Sequence, residues 1–281
     1  MLSIAKVGSG QAAASYYENQ DDYYSEGGRA PSAWWGSGAE RLGLEGSVDS
    51  SVFRDALDGT LPNRSTIHNA AEGRRGGTDA TFSAPKSLSM QALVGGDSRL
   101  LDAHQQSVEQ ALHYLQGLAS YRITESGITR QEQSRNLLVA RFNHDLSRAT
   151  DPQVHTHAVI LNATARHDNA WRALEVGQLY QQQKLIGALY RCELAQRVQA
   201  LGYQIRSTHA DGRFELAHIK ANQIEAFSQR SQMIEEKLAE LGKNRESASA
   251  RELELVALTT REAKSGVDRE QLRNEWQLKS D

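Results

Sequence analysis

A stretch in the middle of the chain limits the fold more than any other, because it predicts a β-hairpin that carries three histidines. Residues 137–144, LLVARFNH, are typical of a strand, residues 145–152 predict a loop that ends in Asp-Pro, and residues 153–164 return as a second strand. His144 ends the first strand, and His155 and His157 lie two positions apart in the second. Alternate residues of a strand project to the same face. The three imidazoles are therefore predicted to lie together on one face of a sheet.

Three neutral imidazoles can bind a divalent ion from one side and leave its other positions open for substrate. Such a site stays strongly positive, which suits a phosphodiester whose transition state gathers negative charge. A lone His-x-His pair is more often an ordinary pair of sheet residues, but a third histidine on the neighbouring strand favours metal. Asp79, in the predicted strand TDATF, is the candidate to orient a histidine or accept a proton. We predict one divalent ion, with Mg²⁺ or Mn²⁺ as the working ion and Zn²⁺ or Ni²⁺ as alternatives.

The rest of the chain predicts an α+β fold, in which helices flank a central antiparallel sheet. Helices are expected to begin after Ser83-Ala84-Pro85 and after Gly95-Gly96-Asp97, and an apolar stripe predicts another over 186–201. A small hairpin is expected to turn at Asp211-Gly212. From about residue 218 the sequence is charged and helical, with breaks at Gly242 and Gly266. Residues 25–50, rich in Gly and Ser, predict a loop held by Trp34 and Trp35.

Composition narrows the class of protein. The 281 residues are 39% hydrophobic and 24% charged, as in a soluble domain, and no run is long enough to span a bilayer or resembles a signal peptide. Cys192 is the only cysteine, which excludes an internal disulfide and fits a reducing cytoplasm. There is no Walker A motif, so no nucleotide is expected here. The net charge of −3 argues against nucleic acid, but arginines concentrate between positions 64 and 172 and leave room for a local basic groove.

Two tyrosine pairs, Tyr16-Tyr17 and Tyr23-Tyr24, stand near the start of the chain. Most tyrosines only pack. A phenol is a poor nucleophile unless a base or a nearby cation helps it to ionise, and the histidine site could supply that cation.

In combination, these motifs closely resemble the N-terminal relaxase domain of TrwC/TraI-type (MobF) conjugative proteins. The resemblance covers nearly the whole chain and is carried by the start MLS, ASYYENQDDYY at 14–24, TFSAPKSLSMQAL at 81–93 and HDLSRATDPQVHTHAVILNAT at 144–164. Looser likeness follows in WRAL at 171–174, GALYRCELAQRVQALGYQIR at 187–206 and SGVDREQLRNEW at 265–276. The resemblance implies a relaxase-like (HUH) palm with C-terminal helical fingers.

The resemblance also implies the chemistry. It makes Tyr16 the nucleophile that nicks a plasmid transfer origin (oriT) at nic and keeps a 5′-phosphotyrosine, and it gives Tyr23 a later strand-transfer step. Tyr17 and Tyr24 are auxiliary candidates, Asp79 assists, and His144, His155 and His157 bind the metal. The expected substrate is a DNA hairpin with adjoining single strand. The candidates for phosphate contacts are Arg74, Arg75, Lys86 and Arg148.

Residues 1–215 are expected to form the catalytic core, residues 216–281 the helical fingers of the same domain, and a helicase region is expected to lie outside this segment. The resemblance further implies accessory relaxosome proteins, a type IV secretion coupling protein, no membrane insertion, and a cytoplasmic protein that is transferred with the DNA. Two alternatives stay open from the residues alone, a rolling-circle replication initiator and a non-catalytic DNA-binding module with a structural metal. A three-histidine oxygenase would leave the tyrosine pairs unexplained.

Overall fold

The computed structural model describes residues 1–8, 10, 17, 31–67, 75–260 and 268–280. Within them the strands are β1 (Leu2–Val7), β2 (Ser32–Trp35), β3 (Gly77–Ser83), β4 (Ser120–Glu125), β5 (Ile128–Gln133), β6 (Val139–Leu146), β7 (Pro152–Leu161), β8 (Thr164–Ala165), β9 (Trp171–Arg172), β10 (Ile205–Ser207) and β11 (Phe214–Leu216). The helices are α1 (Ser37–Arg41), α2 (Ser50–Asp58), α3 (Lys86–Leu93), α4 (Arg99–Leu118), α5 (Gly177–Gln181), α6 (Gln183–Ala200), α7 (Ala221–Ala226), α8 (Gln229–Glu240), α9 (Ala250–Thr259) and α10 (Arg269–Ser280).

A five-stranded antiparallel sheet with the order β1-β3-β7-β6-β2 forms the centre of the fold. The predicted α+β class is confirmed, and so is the histidine hairpin, which is β6 and β7. Toward the turn the strands reach further than predicted, because β6 continues through a bulge to Leu146 and β7 already begins at Pro152. At their other ends they are shorter, since β6 begins at Val139 and β7 ends at Leu161. Bulges bend a strand and redirect its side chains. This bulge lies directly after His144, so it shapes the edge of the candidate site.

The two faces of the sheet pack against different elements. On one face, Phe82 and Ile160 pack with buried residues of α4 and α6. On the other face, Phe142 and Val159 pack with Phe53 of α2, with Tyr17 and with Trp34. Because side chains alternate along a strand, His155 and His157 share the second face with Val159. The predicted histidine cluster therefore lies on the face that α2 and Tyr17 cover.

The prediction that residues 25–50 form only a loop is wrong for the part that the structure describes. Ser32–Trp35 is the edge strand β2, paired with β6, and α1 follows at once. The aromatic pair Trp34-Trp35 has high strand propensity, which outweighs the surrounding Gly and Ser. Gly36 makes the abrupt change of direction, since its φ of 99° favours glycine and a Cβ there would lie 2.4 Å from the carbonyl oxygen of Leu137.

The C-terminal helices share the main core. Leu272 and Trp276 of α10 are buried in the same apolar cluster as α4 and α6, and Phe227 joins them from the segment after α7. The predicted break at Gly242 is confirmed by its φ of 67°, whereas Gly266 lies outside the described residues. Among the described helices, none has both the length and the apolar character that crossing a membrane requires.

Candidate active site

The three predicted histidines meet on one face of the central sheet. His144 of β6 lies directly opposite His155 of β7, and Phe142 lies opposite His157. The ring centroids are 5.1 Å apart for His144 and His155, 5.2 Å for His144 and His157, and 5.2 Å for His155 and His157. His144 and His157 are buried, and His155 is partly exposed. The hairpin register thus produces the cluster that the sequence predicts.

Asp79 of β3 holds one of these rings. Its Oδ2 atom lies 2.7 Å from Nδ1 of His157, and its carboxylate is buried. A carboxylate can only accept hydrogen bonds, so Nδ1 of His157 carries the proton and Nε2 presents a lone pair. Thr81 adds a second contact, with its hydroxyl 3.2 Å from Oδ1 of Asp79 and 3.1 Å from Nδ1 of His157. Buried contacts of this kind fix the orientation of a metal-binding histidine.

His155 is oriented in the same sense by the backbone. Its Nδ1 lies 2.8 Å from the carbonyl oxygen of Gln153, which can only accept. The proton therefore lies on Nδ1 and the lone pair on Nε2. Two of the three rings are thus in the tautomer that binds a metal ion through Nε2.

The chemistry of this donor set fits a divalent ion, although the rings do not enclose one as placed. Within the described residues, no three His, Cys, Asp or Glu groups converge closely enough to form a finished coordination site. The ring of His144 is stacked on that of His155 at 20°, and parallel rings direct their nitrogens past each other. Both ring nitrogens of His144 are buried. For the three imidazoles to share one ion, the ring of His144 would have to reorient.

Tyr17 is attached to this cluster. Its hydroxyl donates a hydrogen bond of 3.1 Å to Oδ2 of Asp79, the atom that also contacts His157. Its buried ring stacks on Phe142 at 5.4 Å and meets His157 edge-on at 5.6 Å. The other three tyrosines of the two pairs, Tyr16, Tyr23 and Tyr24, lie outside the described residues.

The candidates for DNA contacts are dispersed. Arg75 is partly buried with its guanidinium 5.4 Å above the ring of Tyr180, and Arg148 lies in the turn between β6 and β7. Lys86 donates a 3.0 Å hydrogen bond to the carbonyl oxygen of Pro152, and burial lowers the pKa of its amine to about 8. It lines a cavity of about 410 Å³ together with Arg191 and Arg213. Arg74 lies outside the described residues.

A salt bridge between Asp145 and Arg269, which the sequence did not predict, lies beside His144 at the edge of the site. Asp145, in the bulge after His144, accepts hydrogen bonds of 2.7 and 3.1 Å from the two terminal nitrogens of Arg269 in α10. Nearby, the indole nitrogen of Trp276 donates to the carbonyl oxygen of Thr150. The last described helix therefore holds both ends of the loop between β6 and β7. Sequence reasoning had no signal for this pairing, because its partners are 124 positions apart.

Comparisons with known proteins identify the family to which this chain is similar. The TrwC relaxase family model matches residues 10–281. The multifunctional conjugation protein TraI of Escherichia coli (strain K12) is 42% identical over 288 residues, which cover 98% of this chain and 16% of TraI. The chain thus spans about a sixth of that relative's length.

Solved structures of TrwC also match. The metal-bound structure of the conjugative relaxase TrwC in complex with oriT DNA is similar at a TM-score of 0.92 and 42% identity, covering 100% of this chain and 97% of that one. TrwC complexed with a 27-mer DNA that comprises the recognition hairpin and the cleavage site matches at 0.90 and 41%, with the same coverage.

Proposed function

Because this chain belongs to the TrwC relaxase family, we propose that it is the DNA-nicking domain of a conjugative relaxase. It cuts one strand of a plasmid oriT at nic by transesterification, forms a covalent 5′-phosphotyrosine, and transfers or rejoins the strand. Family membership removes the reason to favour a rolling-circle initiator or a non-catalytic binding module.

The observation that carries the proposal is the contact between Tyr17, Asp79 and His157. One carboxylate oxygen accepts from the Tyr17 hydroxyl and lies 2.7 Å from the imidazole of His157. Tyr17, the second tyrosine of the leading pair, thereby contacts the cluster, which supports a role for this pair in chemistry at the three histidines.

In the nucleophilic step, the bonds and protons balance between the protein and the DNA. The phenolic oxygen of Tyr16 attacks the scissile phosphorus and loses its proton to a base, for which Asp79 is the candidate. The bond from phosphorus to the 3′-oxygen breaks, and the 3′-oxygen leaves and takes up a proton. One phosphoester bond forms for each one broken, so rejoining needs no ATP. Tyr23 provides a second nucleophile while Tyr16 is occupied, with Tyr17 and Tyr24 as auxiliary residues.

His144, His155 and His157 would hold the divalent ion. When bound, the ion polarises the nonbridging oxygens of the phosphate and offsets the charge that develops on them. A metal cofactor is supported by the metal-bound TrwC relative and by the tautomers of His155 and His157. We propose Mg²⁺ or Mn²⁺ as the working ion, with Zn²⁺ or Ni²⁺ as ions that imidazoles also bind.

The proposed substrate is oriT DNA, read as a hairpin with its adjoining single strand. Arg74, Arg75, Lys86 and Arg148 are the candidate phosphate contacts. We propose that residues 1–215 form the catalytic core and residues 216–281 the fingers of the same domain, which is supported by the burial of Leu272 and Trp276 in one apolar cluster with Leu112 and Tyr190. Accessory relaxosome proteins, a type IV secretion coupling protein, and a cytoplasmic location followed by transfer with the DNA complete the proposal.

A covalent-adduct assay tests the function. The chain is incubated with Mn²⁺ and a labelled oligonucleotide that carries a hairpin and nic site of this family, and products are separated in SDS. We expect a protein-linked label when the label lies on the 3′ side of nic, and we expect that EDTA prevents this adduct, that Tyr16→Phe abolishes it, and that His155→Ala reduces it by at least a hundredfold. Full adduct yield from Tyr16→Phe would remove Tyr16 from its role. The absence of any adduct with a cognate oligonucleotide would contradict the nicking function.

A further inference from the structure

A buried chain of hydrogen bonds runs behind the histidine cluster, on the opposite face of the sheet. The Tyr190 hydroxyl of α6 lies 2.8 Å from Nδ1 of His104 in α4. Nε2 of His104 lies 3.0 Å from the hydroxyl of Thr156 in β7, and that hydroxyl donates to Oδ1 of Asn143 in β6 at 2.9 Å. Tyr190, His104 and Thr156 are at most 2% exposed. This hydrogen-bond network thus connects two helices to both strands of the hairpin.

The donors and acceptors permit one direction only. The Thr156 hydroxyl donates its single proton to Asn143, so it must accept a hydrogen bond from Nε2 of His104. A neutral imidazole has one N–H group, and Nδ1 of His104 therefore accepts from Tyr190. Burial lowers the pKa of His104 to about 3, which keeps the ring neutral as this arrangement requires. Each of these hydrogen bonds thus has one donor and one acceptor, and a buried network of this kind favours a single arrangement of its members.

The members of the network alternate with the metal histidines along both strands. Asn143 directly precedes His144, and Thr156 lies between His155 and His157. Asn143 and Thr156 are also direct partners in the register of β6 and β7. Neighbouring residues of a strand face opposite ways. The network therefore fixes the backbone at the points where the three imidazoles project from the other face.

We propose that His104 and Thr156 are positioning residues for the three-histidine site, which hold β6 and β7 at the separation at which the imidazoles can share one ion. The inference rests on the proposed function in one respect, namely that these histidines bind a metal. Metal–ligand distances tolerate deviations of only about 0.2 Å. A hairpin whose backbone is held by hydrogen bonds next to each metal ligand keeps such distances better than a hairpin held by apolar packing alone.

The test is the affinity of the intact chain for Mn²⁺ alone, measured by the EPR signal of the free ion. Thr156→Val keeps the volume but removes the hydroxyl, whereas Thr156→Ser keeps the hydroxyl. We expect the valine variant to bind Mn²⁺ about tenfold more weakly and the serine variant to stay within roughly twofold of the wild type. Val108→Ala is the matched control, because Val108 is a fully buried residue of α4 outside the network. It should lower stability and leave the affinity unchanged.

Tyr190→Phe provides a second variant if Thr156→Val does not fold, since it keeps the ring that packs on Phe82 at 5.3 Å. We expect a smaller loss of affinity, on the order of threefold. Wild-type affinity in the folded valine or phenylalanine variant, or an equal loss in Val108→Ala, would overturn the positioning role. Failure of the wild-type chain to bind Mn²⁺ at all would instead contradict the metal site of the proposed function, and this inference with it.

Discussion

The hydroxyl of Tyr17 donates to the carboxylate of Asp79, 62 positions further along the chain. The same carboxylate contacts His157, so one buried group joins the leading tyrosine pair to the metal histidines. The tyrosine pair and the histidine hairpin come from distant parts of the sequence. Asp79, in the strand next to β7, connects them.

The first prediction concerns Tyr17. In Tyr17→Phe the ring still stacks on Phe142, and the hydrogen bond to Asp79 is lost. We expect a loss of about 1 kcal/mol in the free energy of unfolding and a nicking rate lowered severalfold, with the covalent adduct retained. Urea unfolding and single-turnover cleavage measure the two effects. The control is Tyr121→Phe, which removes a hydrogen bond to Glu132 in another hairpin and should not change cleavage. Complete loss of adduct in Tyr17→Phe would make Tyr17 itself the nucleophile.

The second prediction concerns Asp79. Asp79→Asn removes the charge that holds the proton on Nδ1 of His157. Loss of such a partner typically weakens metal binding by 10- to 100-fold, and we expect a value in this range for Mn²⁺ by EPR titration. Asp97→Asn, which disrupts the contact of Asp97 with Arg99 at the start of α4, serves as the control and should keep wild-type affinity. Equal affinities of Asp79→Asn and the wild type would show that His157 does not depend on this carboxylate.

The third prediction concerns the salt bridge between Asp145 and Arg269. Removing one partner of a buried pair costs about 3–5 kcal/mol, but the Arg269 side chain is 32% exposed, so solvent screening should reduce this to roughly 1–2 kcal/mol. A double-mutant cycle with Asp145→Asn and Arg269→Gln, followed by urea unfolding, measures the coupling. The exposed pair of Arg130 and Glu125 gives the reference, for which we expect a much smaller coupling because solvent screens it. Additive effects of the two substitutions at Asp145 and Arg269 would contradict the coupling.

The fourth prediction concerns acid stability. Burial lowers the pKa of His104 to about 3, below its usual value near 6.5. Between these values the unfolded chain binds a proton that the folded chain does not, so stability is lost as the pH falls from 6.5 toward 3 and is unaffected above about 7. The contribution of His104 is at most about 1.4 kcal/mol per pH unit.

His104→Gln removes this titration, so its free energy of unfolding should fall less than that of the wild type between pH 6.5 and 4.5. Urea unfolding of the wild type and of His104→Gln measures these free energies, and EDTA in the buffer excludes effects of metal release. Parallel pH dependences of the two proteins would mean that His104 is protonated in the fold.

The sequence predicted those parts of the site that depend on local order. His144, His155 and His157 follow from strand alternation in a short hairpin, and Asp79 from its place in a neighbouring strand. The roles of His104 and Arg269 could not be predicted, because each acts through a partner on a distant element. His104 had only the appearance of a polar residue on an amphipathic helix, and nothing near Asp145 in the sequence identifies its partner.

Local propensity also left several strands unpredicted. The Gly- and Ser-rich surroundings hid the strand of Trp34 and Trp35, which exists because β6 offers it an edge to pair with. The strand β1 and the hairpin of β4 and β5 were not predicted either, although Ser3-Ile4-Ala5 and the turn at Gly127 carry weak signals of each. Pairing partners distant in sequence decide short strands such as β1 and β2 more than their own residues do, whereas β4 and β5 pair with each other across a short turn.

The long separation of Asp145 and Arg269 has a consequence for the newly made protein. At the usual speed of translation, the 124 positions between them take on the order of 10 s to synthesise. During that interval the three histidines have left the ribosome, but Asp145 beside them still lacks its salt bridge to Arg269. We therefore expect a nascent chain to bind Mn²⁺ poorly until α10 has emerged.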